Sequence, residues 1–235
     1  MTLFLFFSVS CKIRPKEVNL KMKNKVLGLK NLLWAAAAFI IIICIAVSLT
    51  VMCRQIYYYD INNLNIPEKT GISEEICRKN YDILIDYNMI VSPDVLEFED
   101  FELNETETIH FKEVKAIFCT MQWVSFVGTI IIILKIITQL KRENRDFRWL
   151  KYTLPMGIGI TSAIGILVAV NWKLAFKLMH EIFFRNDYWI FQIREGGIIN
   201  ILPDKFFMHC GIAIMVMTAV MTVGAYILFR KLSRK

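Results

Sequence analysis

Four apolar runs alternate with polar segments along the chain. The runs cover residues 32–53, 116–137, 153–171 and 206–229, and each is close to the ~20 residues that an α-helix needs to cross ~30 Å of hydrocarbon. The polar segments are 1–31, 54–115, 138–152, 172–205 and 230–235. The pattern predicts an all-α membrane protein of four transmembrane helices, with a small extracytoplasmic cap formed by the two long connections, 54–115 and 172–205.

Composition agrees with this topology, and charge orients it. Hydrophobic residues make up 56% of the chain and charged residues 21%, which is too apolar for a soluble domain of this length. Of the 28 Lys and Arg side chains, 16 lie in the segments 12–30, 141–151 and 230–235, together with only three acidic ones. The positive-inside rule therefore predicts that both termini are cytoplasmic. Topology thus accounts for the net charge of +7, and we expect no nucleic-acid partner.

The two outer connections differ in character. Residues 54–113 carry fourteen acidic and five basic side chains, with enough apolar residues for a small folded cap. Residues 172–205 are rich in aromatic side chains. Their apolar positions recur at helical spacing, opposite Lys and Glu side chains, at Trp172, Phe176, Met179, His180 and Phe183. This spacing predicts an amphipathic helix at the membrane interface.

The apolar runs themselves carry little chemistry. They hold few ionisable groups, so the sequence gives no support to a transporter. The third run has a stripe of small residues, which predicts close helix packing, at Gly157, Thr161, Gly165 and Ala169.

The cysteines and the opening residues add two expectations. No metal-binding spacing occurs among the six cysteines, which we expect to be small buried hydrophobic residues: Cys11, Cys44, Cys53, Cys77, Cys119 and Cys210. The opening apolar run lacks the preceding positive charge of a signal peptide, so we expect residues 1–21 either to be dispensable or to come from a misassigned start, since Met22 would open an ordinary cytoplasmic end of the first span.

All three histidines, His110, His180 and His209, fall on the predicted outer side. Asn104 and Glu107 have the spacing of a capping box, which predicts a helix that starts there and continues through His110 into the second span. On that helix His110 stands ~9 Å above the hydrocarbon edge, and Glu107 one turn earlier can orient its imidazole. His180 lies on the apolar face of the interfacial helix, where its spacing alone favours a core histidine hydrogen-bonded to a backbone carbonyl over a functional residue. His209 is expected to be an interfacial polar residue.

Several enzyme classes lack their signatures. His180-Glu181 begins like a zinc-protease motif, but Phe184 stands where the second histidine is required. No G-x-S-x-G elbow and no Gly-rich phosphate loop occur. If the chain is an enzyme, its histidines therefore work with a nucleophile that the substrate provides.

Three motifs resemble those of one membrane-protein family, the lipoprotein intramolecular transacylases. The first family motif, E-x-x-H-F-x-D-V-K, is matched by Glu107, His110-Phe111 and Glu113-Val114-Lys115. The second, F-H-x-x-F-F-x-N-D-x-W, is matched by His180 to Phe184, Asn186-Asp187 and Trp189, and L-P-x-x-F-F by Leu202-Pro203 and Phe206-Phe207. Glu113 replaces an Asp and Met179 replaces a Phe. Motif order, spacing and four-span layout agree from about Met22 to the end.

The resemblance implies a reaction on bacterial lipoproteins. The sn-2 acyl chain of an S-diacylglyceryl-cysteine moves to the α-amine of that cysteine, which gives the lyso form. The implied catalytic residues are His110 as general base and acid and His180 as the group that polarises the ester, although the two roles can be exchanged. The implied supporting residues are Glu107, Glu113, Lys115, Asp187 and Trp189.

The resemblance also implies a location and a set of partners. We expect a multi-pass protein of the bacterial cell membrane, with its active site at the outer leaflet, diacylglyceryl lipoproteins as substrate, and no cofactor or metal. One alternative is a non-catalytic sensor or assembly protein whose acidic cap binds a partner. Another is a metal site formed by His110, His180 and Glu107, which lacks a ligand-spacing signature.

Overall fold

The computed structural model describes residues 15–234 except 193 and 195, with side chains from residue 25 onward. In this part of the chain the helices are α1 (Pro15–Met52), α2 (Arg54–Asn63), α3 (Ile66–Thr70), α4 (Glu74–Tyr87), α5 (Glu105–Leu140), α6 (Arg148–Val170), α7 (Trp172–Phe183) and α8 (Asp204–Leu232). A short 3-10 helix, Ile198–Ile201, precedes α8. Cys11 and the opening apolar run lie outside the described residues.

Four helices are long and apolar enough to cross a membrane: Lys25–Met52 of α1, and the whole of α5, α6 and α8. No strand occurs within residues 15–234 where the backbone is described. The predicted fold class, an all-α protein with four membrane spans, is therefore confirmed. The helices are longer than the apolar runs, because polar turns extend them at one or both ends.

The extension of α5 positions one of the histidines. The capping box at its start is complete, since the Asn104 side chain accepts from the backbone N–H of Glu107 at 2.8 Å and the Glu107 carboxylate accepts from that of Asn104 at 3.0 Å. From there α5 continues without a break through His110 to Leu140. A helix of 36 residues is ~54 Å long, so its first turns project well beyond ~30 Å of hydrocarbon.

Small residues allow the membrane helices to pack closely. α1 packs against α5, α6 and α8, and α6 packs against α8. A Cβ atom on Gly128 of α5 would lie 2.6 Å from Cγ1 of Ile41, and one on Gly157 of α6 would lie 2.3 Å from Cγ2 of Thr222. Neither contact is sterically possible, so both helix pairs require glycine there. The predicted packing role of the small-residue stripe is confirmed at Gly157.

The two long connections pack into one cap over the end of the bundle. Tyr57 of α2 stacks on Tyr81 of α4 with ring centroids 3.9 Å apart, and both rings meet the edge of Phe206 at the start of α8. The Tyr57 hydroxyl donates to the carbonyl of Ile201 at 2.8 Å. Residues from both connections therefore share one buried core, as the sequence pattern predicts.

The cysteines within the described residues are all free thiols. Cys44 and Cys77 are buried, whereas Cys53, Cys119 and Cys210 are partly exposed. The expectation of small buried residues thus describes two of the five.

Candidate active site

Two of the three histidines meet at the cap end of the bundle. His110 on α5 and His180 on α7 have ring centroids 6.0 Å apart, and each is only 7% exposed. His209 lies elsewhere: its Nδ1 is 2.7 Å from the buried carboxylate of Asp60, so it joins α8 to the cap helix α2. His209 is thus more than the interfacial polar residue expected from sequence.

His180 has a defined hydrogen-bonding state. Its Nδ1 lies 2.8 Å from the carbonyl oxygen of Phe176, one turn earlier on α7. Because a carbonyl only accepts, Nδ1 carries the proton, and in the neutral ring Nε2 carries the lone pair. The indole of Trp189 stacks on the imidazole at 4.6 Å. Burial lowers the pKa of His180, opposed by its bond to Phe176, so the ring is neutral at pH 7.

His110 lies in an apolar surrounding, in the part of α5 that precedes the apolar run. Its ring is 4.7 Å from that of Phe184 and 5.4 Å from that of Phe191. Burial, with a smaller effect of nearby His180, lowers the pKa of His110 to about 4. Its Nδ1 is buried without a hydrogen-bond partner. A buried N–H without a partner costs ~1–3 kcal/mol, so we place the proton of the neutral ring on Nε2.

Glu107 does not bind the imidazole of His110. Its carboxylate, 1% exposed, accepts from the backbone of Asn104 and from Nη2 of Arg194 at 2.8 Å. Arg194 also donates to the carbonyl of Glu102 at 2.6 Å. Arg194 therefore ties the connection between α7 and α8 to the first turn of α5. No local sequence signal predicts this role of Arg194.

Glu113 and Trp189 also hold the connection near the histidines. The amide of Asn186 donates to Glu113 Oε1 at 2.9 Å, which joins the segment after α7 to α5 one turn beyond His110. Glu113 Oε2 is buried without a partner. Trp189 contacts His180 directly, as described above.

The other two predicted supporting residues lie apart from these contacts. Lys115 donates to the carbonyl of Pro93 at 2.5 Å and stands over the ring of Tyr87, so it anchors the segment before α5. Asp187 is exposed, and the described residues provide no hydrogen bond to its carboxylate. The structure therefore brings together the rings of His110, His180 and Trp189. Glu107 and Glu113 join α5 to the connection after α7, whereas Lys115 and Asp187 take no part in these contacts.

Fold and site together define a four-span membrane protein with a pair of neutral, buried histidines at one end of its bundle, a site suited to proton transfer. The family model described as lipoprotein intramolecular transacylase Lit matches residues 32–207, which include both histidines. The chain belongs to the Lit family.

Solved structures agree with this assignment. The membrane-integral Lit from Bacillus cereus is similar with a TM-score of 0.82 and 28% sequence identity, over 90% of this chain and 97% of that one. Two variants of the Bacillus cereus protein, in which a histidine is replaced by arginine or by alanine, are similar with TM-scores of 0.78 and 0.77. Each is also 28% identical and is covered over 97% of its length. A comparison with curated proteins finds no match.

Proposed function

We propose that this chain catalyses intramolecular acyl transfer on lipoproteins, with His110 and His180 as its catalytic residues. The substrate is an S-diacylglyceryl-cysteine with a free α-amine, and the product carries the sn-2 acyl chain on that amine. The observation that carries the proposal is the pair of neutral imidazoles 6.0 Å apart inside the matched family region. The amine supplies the nucleophile, so the protein has only to move protons and stabilise charge.

The site lies at the outer leaflet in this proposal. The basic clusters at 12–30, 141–151 and 230–235 favour cytoplasmic termini. An even number of spans then puts the cap and both histidines outside. His110, six residues before the apolar run, stands near the height of lipid ester groups, so the acyl chain stays in hydrocarbon while its carbonyl reaches the imidazoles.

The hydrogen-bonding states of the two rings support one division of roles. His180 presents an Nε2 lone pair, so it accepts the proton that the α-amine loses as its nitrogen bonds to the ester carbonyl carbon. His110 presents an Nε2–H, which donates to the carbonyl oxygen as negative charge develops there. The bond from that carbon to the sn-2 oxygen then breaks, and the oxygen takes the proton from the His180 imidazolium. No net proton is gained or lost.

This assignment exchanges the roles implied by the family resemblance. A neutral His180 whose Nδ1–H is engaged by Phe176 has no second N–H with which to polarise an ester. Amine and ester belong to one molecule, so positioning them together contributes several kcal/mol to the rate. Glu107, Glu113 and Trp189 are positioning residues, which hold the connection after α7 against α5.

The experiment reads the N-terminal peptide of a lipoprotein. The chain is expressed in a bacterium whose lipoproteins end in diacylglyceryl-cysteine with a free amine. Because substrate and product are isomers, fragment ions must locate one acyl chain on the amine and one on the glyceryl group. We expect these ions with the wild-type chain. Unchanged lipoproteins beside well-expressed protein would refute acyl transfer and leave a non-catalytic sensor or assembly role.

Histidine variants test the assignment of roles. His180→Gln has no base and is expected to lose ~100-fold or more in rate. His110→Gln keeps an N–H donor and is expected to retain more activity than His110→Ala. His209→Asn, which keeps a donor for Asp60, is the control outside the site. If His180→Gln were instead the variant that retained activity over its alanine counterpart, the roles would be those first implied by the family motifs.

A further inference from the structure

A cavity lies at the end of the bundle opposite to the histidines. Its volume is ≈ 880 Å³, and its walls come from residues 27–34 of α1, the last turns of α5, the connection 141–147 with the first residue of α6, and the end of α8. No residue of the histidine site lines it. The connection and both helix ends belong to the basic segments that the sequence places on the cytoplasmic side.

The lining of this cavity has an excess of positive charge. Five of its side chains are basic: Lys30, Lys135, Arg142, Arg145 and Arg148. Two are acidic, and one of these, Asp146, is already occupied by Arg148 at 3.0 Å and by the amide of Asn31 at 3.0 Å. These bonds hold the pKa of Asp146 at about 2, so it stays ionised and engaged. The other four cations form no ion pair within the part of the chain that the structure describes.

Aromatic faces, rather than carboxylates, hold Lys135. Its Nζ lies 4.1 Å from the ring centre of Trp34 and 5.6 Å from that of Trp149. A cation–π contact stabilises an ammonium without neutralising it, so the charge is still available to an anion. One turn further along α5, the side-chain oxygen of Gln139 is buried in the cavity wall without a partner. Rotation of that amide would present its N–H groups instead.

We propose that this cavity binds the phosphate group of an anionic membrane lipid. It lies where the apolar runs of α1 and α5 end, which is the height of lipid headgroups. Arg142 and Arg145 supply the planar donors that suit phosphate oxygens, and Lys30 and Lys135 add charge. Leu32 and Leu33, at the start of the apolar run of α1, are exposed where the acyl chains would run. This site is separate from the proposed acyl-transfer site. The lipid that it binds belongs to the opposite leaflet of the membrane.

Lipid binding to the purified full-length chain tests the proposal. Delipidated protein in detergent is titrated with phosphatidylglycerol, with phosphatidylcholine of the same acyl chains, and with inorganic phosphate. Retained lipid is counted by native mass spectrometry. We expect one phosphatidylglycerol per chain to be retained over phosphatidylcholine, and inorganic phosphate to compete only weakly.

A pair of charge-matched variants locates the site. Arg142→Gln/Arg145→Gln removes two charges from the cavity, which predicts ~30-fold weaker binding of phosphatidylglycerol. Arg230→Gln/Lys231→Gln removes two charges from the same end of the bundle outside the cavity, and is expected to change binding less than twofold.

Three results would overturn the proposal. Equal losses in the two variants would show general attraction to basic surface, and full displacement by inorganic phosphate would show a free-anion site. If the cavity variant did not fold, the wild-type titration would still decide, because equal retention of phosphatidylcholine contradicts an anionic-lipid site.

Discussion

Removing the guanidinium of Arg194 tests whether the cap is tied to α5 through one buried ion pair. In Arg194→Met the Glu107 carboxylate, 1% exposed, keeps only the backbone N–H of Asn104 as a partner. Breaking a buried pair from one side costs about 3–5 kcal/mol. Because Arg194 itself is 36% exposed and one hydrogen bond to Glu107 remains, we expect the lower end, about 3 kcal/mol.

Hydrogen exchange measures this effect locally. A loss of about 3 kcal/mol corresponds to a ~150-fold increase in amide exchange in the first turns of α5. The double variant Arg194→Met/Glu107→Gln leaves no buried charge, so it is expected to exchange more slowly than Arg194→Met alone. Arg185→Met, which removes an exposed charge from the same connection, is the control.

The pair also bears on activity. Phe191, three residues before Arg194, contacts the His110 ring, so loosening this segment is expected to reduce acyl transfer in parallel with the increase in exchange. Unchanged exchange in Arg194→Met, or a double variant less protected than either single one, would show that the ion pair does not hold the cap.

Three further predictions follow from the packing, the pKa values and the topology. Burial lowers the pKa of His110 from 6.5 to about 4, so the neutral imidazole contributes fully to stability above pH 6.5, and this contribution is lost as the pH falls toward 4. Thermal unfolding measured against pH should therefore show a loss of roughly 3 kcal/mol in the free energy of unfolding, and His110→Gln should reduce that loss. Gly157→Ala is expected to lower thermal stability, and adding Thr222→Ala is expected to restore part of it. Gly159→Ala, with no atom within 4 Å of the new Cβ, is the control and should have no such steric effect. Equal effects at both glycines would refute the packing argument. An impermeant thiol reagent applied outside should label a cysteine at Asn63 and not one at Asn144, relative to the parent chain, and the reverse pattern would invert the proposed orientation.

Local sequence signals predicted much of the architecture. The capping box at Asn104 and Glu107 requires only residues three apart, and both of its hydrogen bonds form. The interfacial helix followed from the helical spacing of apolar residues in 172–183, and α7 covers those residues. The apolar runs predicted four spans because the hydrocarbon thickness fixes their length.

Contacts between distant segments were not predictable in this way. Arg194 and Glu107 are 87 positions apart, and Asn186 and Glu113 are 73 apart, so no periodicity relates them. The placement of Glu107 beside His110 in sequence suggested a direct bond, but the capping box and Arg194 occupy its carboxylate. The bond of His180 to a backbone carbonyl, by contrast, lies within one helical turn, and the apolar face of α7 predicted a partner of this kind.

The aromatic surround of the two imidazoles has a consequence for the fate of the acyl group. An activated ester can be cleaved by water as well as by an amine, and hydrolysis would release a free fatty acid and leave the lipoprotein with one chain fewer. Around His110 the rings of Phe111, Phe184 and Phe191 lie within 4.7–5.9 Å, and Trp189 covers His180. In the proposed mechanism these rings keep water from the carbonyl while the tethered amine is already present. The rings thus favour conservation of both acyl chains on each lipoprotein, so that its attachment to the membrane survives the rearrangement.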